Sequence, residues 1–451
     1  KLPTTTTDNS YWVNLLQQAA LQQALTKSPA SSPLRLLLGD WIAKPTSTRS
    51  LYNKLRLSLQ YEIPAGLTLD FDAITNDLRR RQGGYGRGNR MKIESDRAQI
   101  LSGVRAGQTI GGPISMLIEN KDWINWESTM RVEAPDNHES DEKSRSRPVV
   151  SKPRPGHADL AGSLKYARQD IRDILERASA RETAARVAAG AIARQLLQHF
   201  GIEIISHVTS IGGLSLNDSL AVTFEQAQSL PADSPLRCVD PELEKQMTAT
   251  IDKARAAGDT LGGTFEVIVR GVPVGLGSYV QWDRKLDGRF AQALMSIPAI
   301  KSVGIGRGPA VAELLGSQVH DEIVLSPTAK AGNKEPLGIS RPTNNAGGLE
   351  GGVSNGEEIR LSACMKPIST LMKPLRSVDL STMTEAEATV ERSDVCAVPA
   401  AAVVAEAVVC LVLADAFMEK FGGDSIAELS KHFGNTDSSV EVVTGRDESM
   451  N

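Results

Sequence analysis

The chain has few cysteines, few histidines and no excess of positive charge, and each shortage closes off a class of function. Its four cysteines, Cys238, Cys364, Cys396 and Cys410, lie far apart in 451 residues and lack the paired spacing of a zinc site. Free thiols in a reducing cytoplasm are the simplest inference, and no metal is expected. A formal net charge of −4 and a pI near 6.0 argue against a general nucleic-acid binder. Any anion site must then be a local cluster on a mildly acidic surface. The longest apolar run, Val398 to Phe417, is interrupted by Glu406 and Asp415 and dominated by small residues, so it reads as a buried helix rather than a membrane span. No internal repeat of fixed period is found.

What remains is a globular composition, 41% hydrophobic and 23% charged, in a chain long enough to bury a large core. Residues 1–54 form an atypical leader rich in Ser, Thr and Gln and poor in acids, with a helix expected over Tyr11 to Leu25 and a linker over Lys27 to Pro33. Its composition leaves plastid import open, although arginine is sparse. From Leu55 to about residue 430 the sequence reads as one continuous domain, followed by a polar tail over 431–451. Leu55 to Tyr61, Ile202 to Val208 and Phe265 to Arg270 are strand-like, Ile63 to Gly66 turns the chain, and Asp70 to Leu78 reads as a short helix. Asp136 to Pro153 reads as an exposed charged loop.

The most specific chemistry lies in Arg154-Pro-Gly-His-Ala-Asp159, which sets a histidine on a Pro/Gly turn just upstream of Glu176-Arg-Ala-Ser-Ala-Arg-Glu-Thr-Ala-Ala-Arg186. Ser179 and Glu182 fit a capping box, and the alanine-rich stretch Ala184 to Leu197 predicts a closely packed core helix. Arg177 and Arg181 would flank its positive end, where backbone N–H groups and guanidinium forks favour phosphate or carboxylate. An ordinary capped helix with solvated arginines is the other reading, and His157 taken alone reads as a structural turn residue.

Arg79-Arg-Arg-Gln-Gly-Gly-Tyr-Gly-Arg-Gly-Asn-Arg90 reads as a glycine-rich loop carrying five arginines, suited to close backbone approach to an anion. A solvated or RNA-binding Arg/Gly loop is its alternative. Asn344 to Gly356 is a second glycine-rich stretch, leading into Lys366-Pro-Ile-Ser-Thr370. It fits a loop that wraps a planar cofactor, or a mobile surface loop. Gly304-Ile-Gly-Arg-Gly308 lacks the full spacing of a dinucleotide fingerprint. In Arg392-Ser-Asp-Val-Cys396 the arginine and aspartate form a surface ion pair in one reading, and the aspartate serves as a base in the other.

In this order, these segments resemble chorismate synthase, over about Ile63 to Leu429. The resemblance implies an α+β fold, a single-domain β-α-β sandwich with antiparallel sheets around a helical layer. It implies a homotetrameric, cytoplasmic lyase of aromatic amino acid biosynthesis that binds neither nucleic acid nor membrane. Its reaction would be the anti-1,4-elimination of phosphate from 5-enolpyruvylshikimate 3-phosphate to give chorismate, the last step of the shikimate pathway. The family requires reduced FMN without net redox change, and the reductant is NADPH in some members and external in others. A substrate with one phosphate and two carboxylates explains why arginines would line its pocket.

Carried over residue by residue, the resemblance implies catalytic roles for His157, near the flavin's pyrimidine edge, and for Asp394, as the base. FMN contacts would come from Arg177, Ala178, Ser179, Pro298, Ala299, Gly351, Lys366, Pro367, Ile368, Ser369, Thr370 and Arg392. Arg81, Arg87, Arg181 and Arg186 would hold the substrate or nucleotide anions. One departure stands out: the family's N-terminal Gly-Glu-Ser-His-Gly motif, with its second histidine, occurs nowhere in the chain. Two explanations stay open, a gene-model or frame artefact at the start or a divergent paralogue that binds FMN and anions without full activity. For the polypeptide as written, reduced turnover is expected.

Overall fold

Alternating branched residues build two antiparallel sheets that enclose a helical layer. A computed structural model describes residues 55–59, 63–88, 96–130, 132, 148–178, 182–231, 233–325, 339–391 and 393–434, with 55–59, 128 and 176–178 described by backbone alone. All of them belong to the compact unit Leu36–Asn451. The expected leader helix and linker lie outside the described residues.

The smaller sheet contains β1 (Leu55–Leu59), β2 (Ala98–Ser102) and β3 (Ile114–Ile118) in the order β1-β3-β2. Every residue of the central strand, Ile114-Ser-Met-Leu-Ile118, is buried, which explains why its apolar run barely alternates. The larger sheet contains β4 (Glu203–Ile211), β5 (Leu214–Ser215), β6 (Gly263–Arg270), β7 (Ile300–Ile305) and, after the hairpin β8 (Leu349–Glu350) and β9 (Val353–Ser354), β10 (Ile359–Met365). Its order is β5-β4-β6-β10-β7. The two-residue pleat and the register, Ser206 opposite Val267 and Val267 opposite Leu361, gather Ile204, Val208, Phe265, Val269 and Ala363 on one face.

The helices are α1 (Phe71–Gln82), α2 (Asp159–Tyr166), α3 (Glu182–His199), α4 (Pro241–Ala256), α5 (Leu286–Met295), α6 (Val398–Phe421) and α7 (Ile426–Gly434), besides several shorter turns. α6 packs on β4 and β6, whereas α3 packs on α6 and touches β1 and β3, so the helices lie between the sheets. Where α3 and α6 meet, a Cβ added to Gly190 would lie 2.5 Å from the Cα and Cβ of Ala407. Only a glycine permits that approach. α6 is long and apolar enough to cross a membrane by composition, but 89% of its most apolar window is buried inside the protein. At its C-terminal end, Phe417 and Phe421 join Phe200 and Phe433 in a cluster with ring centroids as close as 4.6 Å. Each such pair contributes about 0.5–1.5 kcal/mol beyond its buried area.

Glu406, which interrupts the apolar run, is fully buried and fully satisfied. It accepts from Arg80 Nη1 at 2.8 Å and Nη2 at 2.7 Å, from Arg194 Nη2 at 2.6 Å and from Ser206 Oγ at 2.5 Å. Burial alone would raise its carboxyl, but Arg80, Arg194 and Arg237 outweigh this and hold it well below the usual range. Arg80 and Arg194 also share Asp77. This network fastens α1, α3, α6 and β4 to one another.

α1 is longer than its pattern suggests. Asp70 caps it by accepting from Asp72 N at 2.8 Å and Ala73 N at 3.1 Å. Arg79, Arg80 and Arg81 occupy its last turn, where cations meet the negative end of the helix dipole. They therefore lie on a helix and not, as expected, in the glycine-rich loop, which begins only at Gly83.

Candidate active site

The turn Arg154–Asp159 is held by its own ends. Gly156 takes the left-handed φ of 76° that the turn requires, and His157 N donates to Arg154 O at 3.2 Å. Asp159, 1% exposed at the start of α2, accepts four hydrogen bonds. Arg154 N (3.0 Å) and Nε (2.8 Å) reach its Oδ2, while Arg154 Nη2 (3.1 Å) and His157 Nδ1 (2.5 Å) reach its Oδ1. Burial opposes ionisation of this carboxyl, but the bonds from His157 and Arg154 prevail and hold it well below the usual range.

The segment after β10 closes on this turn. Arg154 Nη1 donates to Thr370 Oγ1 at 2.7 Å, and Lys366 Nζ donates to the Gly156 carbonyl. A Cβ on Gly156 would come within 3.4 Å of Lys366 Nζ and 3.6 Å of Ser369 Cβ. Lys366 N donates to the carbonyl of Ala299 at 2.9 Å, next to Pro298, and Ala299 adopts a positive φ of 68°. Ile368 O accepts from Thr260 Oγ1 at 2.7 Å. His157, Pro298, Ala299 and Lys366–Thr370 thus form one assembly.

Asp394 anchors a second assembly. It accepts from Arg87 Nη1 at 2.7 Å and from Gly88 N at 2.7 Å. Val395 N donates to Gly86 O at 2.8 Å, and Val395 O accepts from Leu261 N at 2.8 Å. Asp394 thus pairs with Arg87, 307 residues away in sequence, and the reading of an Arg392–Asp394 ion pair lies outside the described residues. Burial pushes the adjacent Cys396 thiol up to about 11, so it stays protonated beside that carboxylate. The consecutive residues Thr260 and Leu261 join this assembly to the first.

Arg81 and Arg186 are placed by helix ends. Arg81, 3% exposed in the last turn of α1, donates to Asp96 Oδ2 at 2.5 Å and to Thr183 Oγ1 at 3.3 Å, in the first turn of α3. Arg186 bonds Glu182 Oε2 at 3.1 Å and Ser296 Oγ at 2.6 Å, just before Pro298. Gly351 is set apart from these groups. It tips the hairpin β8–β9, with φ of 62° at Gly351 and 90° at Gly352, and among the described residues no hydrogen bond joins it to either assembly. Asp321 fastens the preceding loop through Thr343 Oγ1, Asn345 N and Ala346 N. Ser179, Arg181 and Arg392 lie outside the described residues, as does the expected capping box. Arg177 and Ala178 are described only by the backbone of the short helix Arg172–Ala178.

Within Arg154–Asp159 the sequence assigns a role to His157 but none to Arg154 or Asp159, and it gives no sign of Thr260 or Asp96. An aspartate two residues after a histidine on a Pro/Gly turn was the available signal for Asp159. Lysine, two hydroxyl residues, a half-buried imidazole and several arginines make a donor set suited to an anionic, planar, phosphate-bearing ligand such as a flavin nucleotide. Among the described residues no cluster of His, Cys, Asp and Glu could hold a metal ion.

Comparison with known proteins gives a consistent picture. A family model described as chorismate synthase matches residues 59–418. The chorismate synthase of Geobacter sulfurreducens is 56% identical over 371 residues, covering 82% of this chain and 92% of that protein. That of Moorella thermoacetica is 56% identical over 362 residues, covering 80% and 90%. A solved structure, "Crystal Structure of Chorismate Synthase", superposes with a TM-score of 0.66 at 40% identity, covering 86% of this chain and 95% of that one.

Proposed function

The chain belongs to the chorismate synthase family of carbon–oxygen lyases, and from that premise we propose that its two linked assemblies form the active site for eliminating phosphate from 5-enolpyruvylshikimate 3-phosphate. The C–O bond to phosphate and a ring C–H bond break on opposite faces, a new C=C bond forms, and chorismate and phosphate leave. The observation that carries the reading is the joining of both candidate proton-handling groups through Thr260 and Leu261, which bond Ile368 and Val395.

In this reading Arg81, Arg87, Arg181 and Arg186 offset the substrate's phosphate and carboxylates. Each described one already has a carboxylate, hydroxyl or amide partner that fixes its direction, as preorganised electrostatic stabilisation requires. Asp394, aimed by Gly88 N and Arg87, takes up the proton released by the elimination. His157 holds charge at the edge of the cofactor site. Arg177–Ser179, Pro298, Ala299, Gly351, Lys366–Thr370 and Arg392 hold FMN. When bound, reduced FMN supplies electron density on loan, leaving no net redox change.

Cytoplasmic location and a homotetrameric assembly complete the proposal; plastid import gains no support from the bacterial relatives. The family match begins at residue 59, beyond the place where the second family histidine is expected. For the polypeptide as written we therefore expect turnover lowered by about 10²–10⁴-fold, the usual worth of a general acid–base group. A non-catalytic FMN- and anion-binding paralogue is the second reading, favoured by that same missing motif. Anaerobic incubation with reduced FMN and substrate, followed by phosphate release, separates the two. Slow release supports the enzyme, release at ordinary enzyme rates refutes the importance of the motif, and FMN binding without any release supports the paralogue. An arm with NADPH and oxidised FMN alone reads whether the chain reduces its own flavin, and light scattering reads the number of subunits.

A further inference from the structure

We infer that Asp159 is a positioning residue for His157: it fixes the imidazole as the tautomer protonated on Nδ1 and so makes Nε2 the nitrogen that meets a ligand. The inference deepens the active-site reading above and rests on it for its catalytic meaning.

The argument is one of donors and acceptors. An ionised carboxylate offers about four acceptor sites and no donor. At Asp159 all four are taken, three by Arg154 and one by His157 Nδ1. A carboxylate filled in this way, and 1% exposed, has neither the room to rotate nor an open lone pair for a proton. His157 Nδ1 lies 2.5 Å from Oδ1 and 3.1 Å from Arg154 Nη2. Were Nδ1 unprotonated it could accept from the guanidinium, but its lone pair would then face the carboxylate lone pair at 2.5 Å. Only Nδ1–H satisfies the shorter contact. Nε2 has no hydrogen-bond partner among the described residues, and the His157 side chain is 21% exposed where that of Asp159 is 1%.

The same geometry relates the histidine to the cofactor segment. Arg154 spends Nε and Nη2 on Asp159 and Nη1 on Thr370 Oγ1, so ring orientation and the position of Thr370 are set by one guanidinium. A carboxylate that holds an imidazole by Nδ1–H leaves the neutral ring able to accept at Nε2 and the charged ring able to donate there. That is the property a group beside a cofactor anion needs.

The test uses the full chain labelled with ¹⁵N-histidine, with the His157 signals identified by their loss in His157→Gln. At a pH high enough that the ring's own ¹⁵N titration is complete, we expect Nδ1 to resonate as a protonated nitrogen and Nε2 as an unprotonated one. An Nε2–H ring, or a mixture of tautomers, overturns the inference, and this measurement on the parent needs no variant to fold. In Asp159→Asn the amide can donate to Nδ1, so the tautomer should invert and kcat fall by about 10²-fold with little change in KM. A folded variant with an inverted ring and parental kcat would show that the tautomer does not matter to turnover, and would overturn the positioning role. Phosphate release by the parent is scored separately. Its absence would count against the activity proposed above and leave the tautomer result standing.

Discussion

Thr370 Oγ1 accepts a hydrogen bond from Arg154 Nη1 at 2.7 Å across 216 residues of sequence. Both residues are buried, and through this bond the histidine turn and the segment after β10 become one structural unit. Thr370→Val keeps the shape of the side chain and removes the acceptor. Leaving a buried donor unpaired costs about 1–3 kcal/mol. Urea denaturation should report a loss of that size, together with weaker FMN binding; an unchanged midpoint would mean that water replaces the hydroxyl.

His157→Ala and Asp394→Ala should each lower residual phosphate release by about 10²-fold or more while the circular dichroism of the folded chain is retained. Asp394→Ala also removes the carboxylate that aims Arg87, so its effect on substrate KM should exceed that of His157→Ala. If both variants turn over like the parent, the roles assigned to these two side chains are wrong.

Glu406 gives a prediction in pH. Its carboxyl is held below the ordinary 4.5 in the folded chain, so the folded state binds fewer protons than the unfolded one at mildly acid pH. The stabilisation is complete above about 4.5, the ordinary value, and fades as pH falls through the lower folded value. The urea midpoint should therefore drop steadily below that pH. Glu406→Gln, which leaves Asp77 as the carboxylate Arg80 and Arg194 share, breaks a buried ion pair and should lose about 3–5 kcal/mol at neutral pH and flatten the acid dependence. A variant as acid-sensitive as the parent would show that other carboxylates dominate.

Gly190→Ala tests the contact between α3 and α6. Alanine is favoured over glycine in a helix by about 1 kcal/mol, but here its methyl would overlap Ala407 at 2.5 Å. Overpacking typically costs about 1–3 kcal/mol, and a backbone obstacle puts this site at the upper end. A net fall in thermal midpoint is expected, and a rise would mean that the helices separate freely.

The parts of the fold that follow from local rules were legible in the sequence. The alanine-rich pattern gave α3, and the interrupted apolar run gave a buried α6. The strands β4 and β6 were visible in Ile202 to Val208 and Phe265 to Arg270. Boundaries were less so. The cap at Asp70 and the dipole-matched arginines carry α1 four residues beyond the apolar pattern that marks its start. Pairings between distant residues were not legible at all. Asp394 bonds Arg87, 307 residues away in sequence, and it is tertiary packing rather than sequence spacing that brings that guanidinium to it. Asp159 stood in plain view beside His157, but hydrogen-bond saturation is a property of three-dimensional approach.

Arg79, Arg80 and Arg81 are neighbours with three different fates. Arg79 bonds the nearby Asn76, Arg80 is drawn into the core by Glu406, and Arg81 turns to Asp96 and the start of α3. Successive residues on a helix diverge by about 100°, so three identical side chains in a row serve as an outer, an inner and a lateral fitting. Counting arginines in a stretch of sequence therefore overstates the charge available to a ligand. A charge-to-alanine survey of this triplet should separate into a silent position, a folding position and a binding position, and the order 79, 80, 81 is fixed by helix geometry alone.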